Sequence, residues 1–529
     1  MKRILGVLFL SAIIGACASS PQRNQDLVNR ALDAMGGAEA LAQIKTISVK
    51  GTWKQWEPEQ SMVAGGEMRF ANEATFETTA DFTARAARVD WVKNFAYPTP
   101  RTFKYTEIVM PEAGYVLGID SGSRNKQSME TNPPAHAMSG LRLAATQREL
   151  RRVSPMLLLE MRNNPDRLSG SPDIAIGGVT YPAVSYNAGA YAYVVMFDPQ
   201  TGLPARIRTL DYDYVWGDVN YDLVLSDWRT MGGIKVSASP KYELNGAMVT
   251  DVRITDVVVN PAVPAGRFDP PASIKAGAAR PAASNVNYQW ALRRQFIGLY
   301  LDSDSTSFDA RATSSLRLVE VAPGVQHQVG GTHHSMIVEM RDYLVVLDAP
   351  VSDWQSNWTI AAAQAKYPGK PIKYLVQSHH HMDHSGGIRA YAAQGATIVV
   401  GKGNGAHFRK ILSAPYTGDP DLAARDLSAA TIVEVADKYV ISDGKREVVA
   451  YLAENPHVAG MLISYIPDAR LGFVVDIWSP GVPLPDKINP GLAAVVSTMK
   501  KAGVQPARFA GGHGPGAADY APLAALAGN

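Results

Sequence analysis

From Ile47 to about Asn260, apolar and polar positions alternate with a period of two. In "YDLVLSDW" (221–228), Tyr221, Leu223 and Leu225 fall on one face and Asp222 and Ser226 on the other. In "DVRITD" (251–256), Val252 and Ile254 alternate with Arg253 and Thr255. Such alternation predicts half-buried antiparallel strands. "DPQTG" (198–202) reads as a turn between two of them. Helical signals in this half are few. One runs from Asp26 to Ile44 with a break at Gly36-Gly37. Another, "PMLLLEMRNN", has Ser154 as its N-cap and Pro155 in its first turn.

The rhythm changes after a stretch rich in Pro, Ala and Gly at 261–285, which reads as a linker that lets two domains move separately. "NYQWALRRQFIGLYL" follows as a helix. From about residue 313, short apolar runs alternate with helical segments. "YLVVLDAP", "IKYLVQSH", "ATIVV", "MLISYIP" and "LGFVVDIW" read as strands, and "DWQSNWTIAAAQAK" and "PGLAAVVSTMKKAG" as helices. Mixed strands and helices of this kind predict sheets covered by helices on their outer faces.

The length, 529 residues, is too great for one core and implies several domains. With 51 basic against 49 acidic residues, the net charge is +2 and no basic stripe is present, which argues against a nucleic-acid partner.

The N-terminus alters the picture further. "MKRILGVLFLSAIIGAC" is a basic start followed by an apolar run shorter than the roughly 20 residues that span a bilayer. It ends in Ile14-Gly15-Ala16-Cys17, and Cys17 is the only cysteine. This resembles the bacterial lipobox, whose cysteine is lipidated and becomes the mature N-terminus. By the same resemblance, Ala18 rather than an aspartate after the cysteine implies an outer-membrane lipoprotein facing the periplasm. With one cysteine no internal disulfide can form. The β-rich half is in turn similar to the periplasmic carriers of lipoproteins, in its strand order, the "DPQTGLPARI" hairpin, "MGGIKV" and "VVVNPAVPAGRFDPP". That resemblance implies a curved open antiparallel sheet with a helical lid.

The densest chemistry lies at "SHHHMDHSGG", residues 378–387. It follows the apolar strand "YLV" and precedes a helix opened by Gly386-Gly387, so it is a loop at the carboxyl end of a strand, where α/β folds place their sites. Imidazole with one carboxylate suits zinc. The pattern His379-x-His381-x-Asp383-His384 resembles that of the metallo-β-lactamase superfamily, and the rest of the domain follows in order. "ENPHVAG" brings His457, "LGFVVD" brings Asp476 and "AGGHGPG" brings His513. The resemblance implies an αββα sandwich and two zinc ions, with iron or manganese as alternatives. One ion is held by His379, His381 and His457, the other by Asp383, His384 and His513, and Asp476 bridges them. Asp383 also orients the nucleophile, and Asp348 buttresses the loop. Two departures from the superfamily, Val475 before the bridging aspartate and "PHVAG" at the third histidine, leave the substrate open.

The other histidines carry weaker expectations. His380 is placed beside the site or at the surface. His333 and His334 fall on the active-site rim, with an ordinary loop role ahead of a substrate role, and His407 opens a helix near the pocket, with packing ahead of substrate contact. His136 and His327 have no supporting context. Trp478 either lines a pocket or packs.

The expectation is thus a signal peptide (1–16), a lipidated tether (17–25), a β-rich carrier-like domain (26–270), a linker and helix (271–312) and a metallo-β-lactamase-type domain (313–529). The function expected is a lipid-anchored dinuclear zinc hydrolase. It activates a bridging hydroxide to cleave an ester, lactone, lactam or related bond in a small-molecule substrate. The alternative is a lipid- or lipoprotein-binding carrier whose metal domain is secondary.

Overall fold

The structure is a computed structural model that describes residues 21–97, 100–121, 129, 133–275, 287–296, 302 and 315–528. The signal peptide and Cys17 lie outside the described residues, as does much of the segment expected to link the halves. Among the described residues no helix is long and apolar enough to cross a membrane.

One thirteen-stranded sheet dominates the first half, antiparallel throughout. Its first long strand, Thr46–Glu57, lies beside its last, Ala247–Val259, and pairs on its other side with Arg69–Asp81. Gly51 sits at a register shift between the first two, where a Cβ would come within 2.5 Å of the Arg253 carbonyl oxygen. A bulge at this point bends the strand and increases its twist. The expected alternation is present at Tyr221, Leu223 and Val252, which are buried, and Arg253, which is exposed, but Asp222 on the other face is buried as well, paired with Arg206 and Arg208.

The helices differ more from expectation. The first begins at Pro21, inside the segment expected to be a tether, and ends at Ala34, while a short one follows at Ala38–Ala42. The helix expected at Pro155 starts at Leu157, and the Ser154 hydroxyl accepts from the Met156 amide at 3.1 Å. A longer helix, Gly140–Arg152, precedes it and was not expected. Ser139 caps its N-terminus, with the side chain accepting from Arg142 N at 3.2 Å. Its arginines Arg142, Arg148 and Arg152 are buried. Arg142 pairs with Glu107, Asp120 and Asp302, and Arg148 with Asp211. A helix carrying so much charge on its buried side hides from a hydropathy reading.

The second half is the expected αββα sandwich. A seven-stranded sheet runs in spatial order from Arg317–Ala322 to Ile432–Val435, antiparallel at first and parallel from Leu344–Leu347 onward. A six-stranded sheet from Lys438–Ser442 to Ala517–Asp519 packs against it. The apolar runs are continuous because both faces of the first sheet are buried. Val345, Val376 and Val399 point to the core between the sheets, while Val346, Leu375 and Ile398 meet Ile360, Ile388, Tyr391 and Phe408 of the outer helices. On the far side, Val495 and Met499 of helix Pro490–Lys501 complete the layers. Trp478 packs against Phe509, with ring centroids 5.3 Å apart, inside this core.

The two halves do not hang apart on a linker. Arg389, buried just beyond the histidine loop, donates to the carbonyls of Tyr214 (2.6 Å) and Val215 (3.0 Å). Asp218 N donates to the Pro415 carbonyl at 2.7 Å, and Tyr214 and Trp290 pack with Tyr416 and Leu422. The contacts that join the halves are apolar, buried and hydrogen-bonded at once.

Candidate metal centre

Strand Ile372–Val376 ends directly before the histidine loop, and His381 is the N-cap of the short helix Met382–Ser385. The loop is locked from behind. Asp348, at the end of strand Leu344–Leu347, accepts through Oδ1 from Ser378 N (3.1 Å), Ser378 Oγ (2.6 Å) and Gln377 Nε2 (3.0 Å). Its Oδ2 faces His384 Nδ1 at 2.6 Å.

Asp476 lies at the centre. Its Oδ2 is 3.1 Å from His379 Nε2 and 3.2 Å from His457 Nε2. Its Oδ1 is 3.2 Å from His384 Nε2 and 2.8 Å from His513 Nε2. His381 completes a group with His379, His457 and Asp476, and Asp383 one with His384 and Asp476. All seven residues expected as ligands therefore come together in one cluster. Asp348 and Asp476 both adopt positive φ, 71° and 53°, as does the neighbouring Val351 at 65°. Such conformations cost of order 1–3 kcal/mol each and gather at functional sites.

For four of the five histidines, hydrogen bonds identify one ring nitrogen that carries a proton. Ser378 Oγ spends its hydrogen on Asp348, so at 3.1 Å it accepts from His379 Nδ1–H. The Ser61 carbonyl can only accept, so His381 donates to it through Nε2 at 3.0 Å. The Thr332 carbonyl likewise takes His513 Nδ1–H at 3.0 Å, and the Asp348 carboxylate takes His384 Nδ1–H. In the neutral, metal-binding form of each of these four rings, the remaining nitrogen carries the lone pair. For His379, His384 and His513 it points at Asp476. His379 Nε2, His457 Nε2 and Asp476 Oδ2 are buried with no hydrogen-bond partner. Lone pairs that converge on a carboxylate repel unless a cation lies among them, so the residues fit divalent metal.

Electrostatics agree. Burial holds the His379 imidazole well below its usual pKa and pushes His381 down to about 3, so both are neutral and ready to donate. Asp476 and Asp383 are kept well below the carboxylate range. Burial opposes this, but His384 beside Asp476, and the His333 hydrogen bond and His384 beside Asp383, outweigh it. His384 is raised well above its usual value, since Asp476 and Asp348 overcome its burial. Without a cation among these groups, a second proton on His384 answers the same demand for positive charge that a metal ion would.

The other histidines gather around this cluster or pack apart from it. His333 was expected in an ordinary loop role, but its Nε2 lies 3.2 Å from Asp383 Oδ2 and its ring 4.4 Å from that of His513. It also groups with His384 and His513 as a candidate donor. Of the two places expected for His380, it takes the one beside the site: it is buried and donates to the Ser61 carbonyl at 2.9 Å. His407, near the start of helix Gly405–Ser413 as expected, is half-buried against Trp216 and His380. His334 and His327 are buried beside one another, their nitrogens bonded to the carbonyls of Gly331 and Gly511. His136 belongs to the buried Arg142–Asp302 network, distant from the cluster in sequence and partners. Ser61, Gln60 and Tyr97 reach the cluster from the first half, and no local sequence signal marks them.

Residues 329–477 match the metallo-beta-lactamase superfamily. This part of the chain is a metallo-beta-lactamase superfamily domain. Solved structures similar to the chain include a metallo-beta-lactamase from Pontibacter korlensis, at 18% identity over 40% of this chain and 99% of that one, with TM-score 0.31. Another, from Hirschia baltica, has 19% identity, covers 40% and 96%, and has TM-score 0.29. A stereoselective inverting sec-alkylsulfatase from Pseudomonas sp. has 17% identity, covers 46% and 43%, and has TM-score 0.31. No curated protein matches the chain. The metallo-beta-lactamase domain thus contains six of the seven clustered residues, and the seventh, His513, follows it from the turn after strand Arg508–Gly511.

Proposed function

We propose that this chain is a lipid-anchored, periplasm-facing hydrolase that works with two zinc ions. The observation that carries the reading is the convergence of the Nε2 atoms of His379, His384 and His513 on the two oxygens of Asp476. His379, His381 and His457 would hold one ion, and Asp383, His384 and His513 the other, with one Asp476 oxygen toward each. When bound, such a pair makes water a nucleophile near neutral pH and polarises the bond to be cleaved. The protein's own part is to orient. Asp348 and Ser378 fix the rings, and the Asp383 carboxylate, at 24% side-chain exposure, is open enough to meet a water or a substrate proton. The bond is an ester, lactone, lactam or a relative of these.

The test uses the chain from Ala18 onward. Mass spectrometry should find about two zinc ions per chain, with iron or manganese as the informative alternatives. A panel of esters, lactones, β-lactams and phosphodiesters should reveal turnover that Asp383→Asn abolishes while the circular dichroism stays unchanged. Substoichiometric metal of every kind would end the reading. The anchor is tested separately: Cys17→Ala should leave the membrane fraction or remain unprocessed.

A second reading, binding of a lipid or acyl group, is favoured by one feature. A cavity of about 260 Å³ lies in the first half, walled by Trp53, Phe76, Trp91, Leu150, Tyr221 and Tyr242. Apolar surface buried there contributes roughly 25 cal/mol per Å². Titration of the whole chain with a fluorescent fatty acid should saturate. A Val49→Trp variant, which narrows the cavity, should weaken it.

A further inference from the structure

The segment joining strands Thr46–Glu57 and Arg69–Asp81 enters the metal cluster from the first half. Its turn, Pro58–Gln60, is held from behind: Glu57 and Glu59 are clamped by Arg293 and Arg294 of helix Tyr288–Phe296. Gln60 and Ser61 are buried at its tip. Gln60 Nε2 donates to Asp383 Oδ1 at 2.8 Å, and Gln60 Oε1 accepts from the Tyr97 hydroxyl at 2.5 Å. The amide can face only this way, because an ionised carboxylate accepts and cannot donate. Burial, and then the charge of Asp383, raises the Tyr97 pKa, so Tyr97 remains a donor. The Arg69 guanidinium lies 4.5 Å over its ring. One residue on, the Ser61 carbonyl takes the Nε2–H of His381, and Met62 O accepts from Ala459 N at 2.8 Å, beside His457.

We propose that the first half supplies positioning residues for this metal centre: Gln60, aimed by Tyr97, holds the Asp383 carboxylate, and the Ser61 carbonyl selects the tautomer of His381. The inference rests on the metal reading above. Oδ1 of Asp383 is occupied by the Gln60 amide, so only Oδ2 is turned to the cluster. The Ser61 bond leaves Nδ1 of His381 as its only donor nitrogen. The metallo-beta-lactamase domain is therefore incomplete without residues 60–61, and the antiparallel sheet is part of the catalyst's frame.

The experiment uses the full-length chain and its Gln60→Leu and Tyr97→Phe variants. Zinc affinity is measured by competition with a chromophoric chelator, and cobalt(II)-loaded protein is compared by its visible spectrum. Loss of a partner that orients a ligand lowers metal affinity about 10–100-fold. Gln60→Leu should weaken one of the two ions by such a factor, leave the other near wild type and change the cobalt spectrum. Tyr97→Phe should do the same to a smaller degree, and Gln60→Asn should not restore the wild-type affinity, since its shorter amide falls short of Asp383. Thermal unfolding checks that each variant is folded. If Gln60→Leu fails to fold, Tyr97→Phe alone decides. Metal in the wild-type chain with both affinities unchanged in the variants overturns this proposal and leaves the metal reading standing. No metal in the wild-type chain overturns both.

Discussion

Asp348 Oδ2 lies 2.6 Å from His384 Nδ1, and neither side chain is exposed. The other oxygen of the same carboxylate ties down Ser378 and Gln377, so one residue sets both the path of the loop and the tautomer of a ring in it. Asp348→Ala frees the His384 ring to rotate and exchange tautomers. The affinity of the ion nearest His384 should drop about 10–100-fold, measured by chelator competition. Asp348→Asn, which keeps the shape but loses the charge, should fall between the two.

Gly386 closes the same loop. A Cβ there would lie 2.1 Å from the Val351 carbonyl oxygen, a backbone atom in a residue already at positive φ. Gly386→Ala should therefore cost about 1–3 kcal/mol or more in chemical denaturation. At Gly331 the nearest atom to an added Cβ is 3.5 Å away, so Gly331→Ala should stay within about 0.5 kcal/mol of wild type.

The histidine spacing was legible because its meaning is local: a strand end, a tight loop and two glycines fix it within ten positions. Strands such as Asp251–Asp256 were legible because alternation is local too. What escaped depends on distant partners. Helix Gly140–Arg152 looks solvent-exposed until Glu107, Asp211 and Asp302 are brought to its arginines. Gln60 and Tyr97 have no pattern of their own, and their role exists only because the sheet packs against the histidine loop. The sequence brings His333 only as far as the rim, because its partner Asp383 lies on a different strand-end loop.

Arg389 should hold the halves together. Its guanidinium serves the carbonyls of Tyr214, Val215 and Ile411, at 2.6, 3.0 and 2.8 Å, in a buried setting. Hydrogen bonds from charged groups contribute roughly 1.5–3 kcal/mol each, and orphaned carbonyls add a desolvation cost. Arg389→Met should lower the unfolding temperature and speed proteolysis between the halves. Unchanged digestion would mean that the apolar contacts around Trp290 and Tyr416 suffice alone.

The clamp behind Gln60 should make stability depend on pH in an unusual direction. Three carboxylates, Glu57, Glu59 and Asp213, face two guanidiniums, Arg293 and Arg294, with side-chain exposures of 0–1%. Fully ionised, the group carries one excess negative charge, which a single retained proton cancels. Burial, reinforced by Asp213, pushes the Glu59 carboxyl up to about 8 against the pull of the arginines. Asp213 is held at about 2, its burial outweighed by Arg293. The folded chain thus keeps a proton that unfolded Glu59 releases near its ordinary value of 4.5. The stabilisation is complete below that value and is lost as pH rises through about 8. Glu59→Gln mimics the protonated acid at every pH, and its amide can still donate to Asp213. Between pH 5.5 and 8.5, wild type should therefore lose on the order of a few kcal/mol more unfolding free energy than the variant. Denaturation of both proteins at both pH values reads this difference directly, and equal losses would place the retained proton elsewhere in the network.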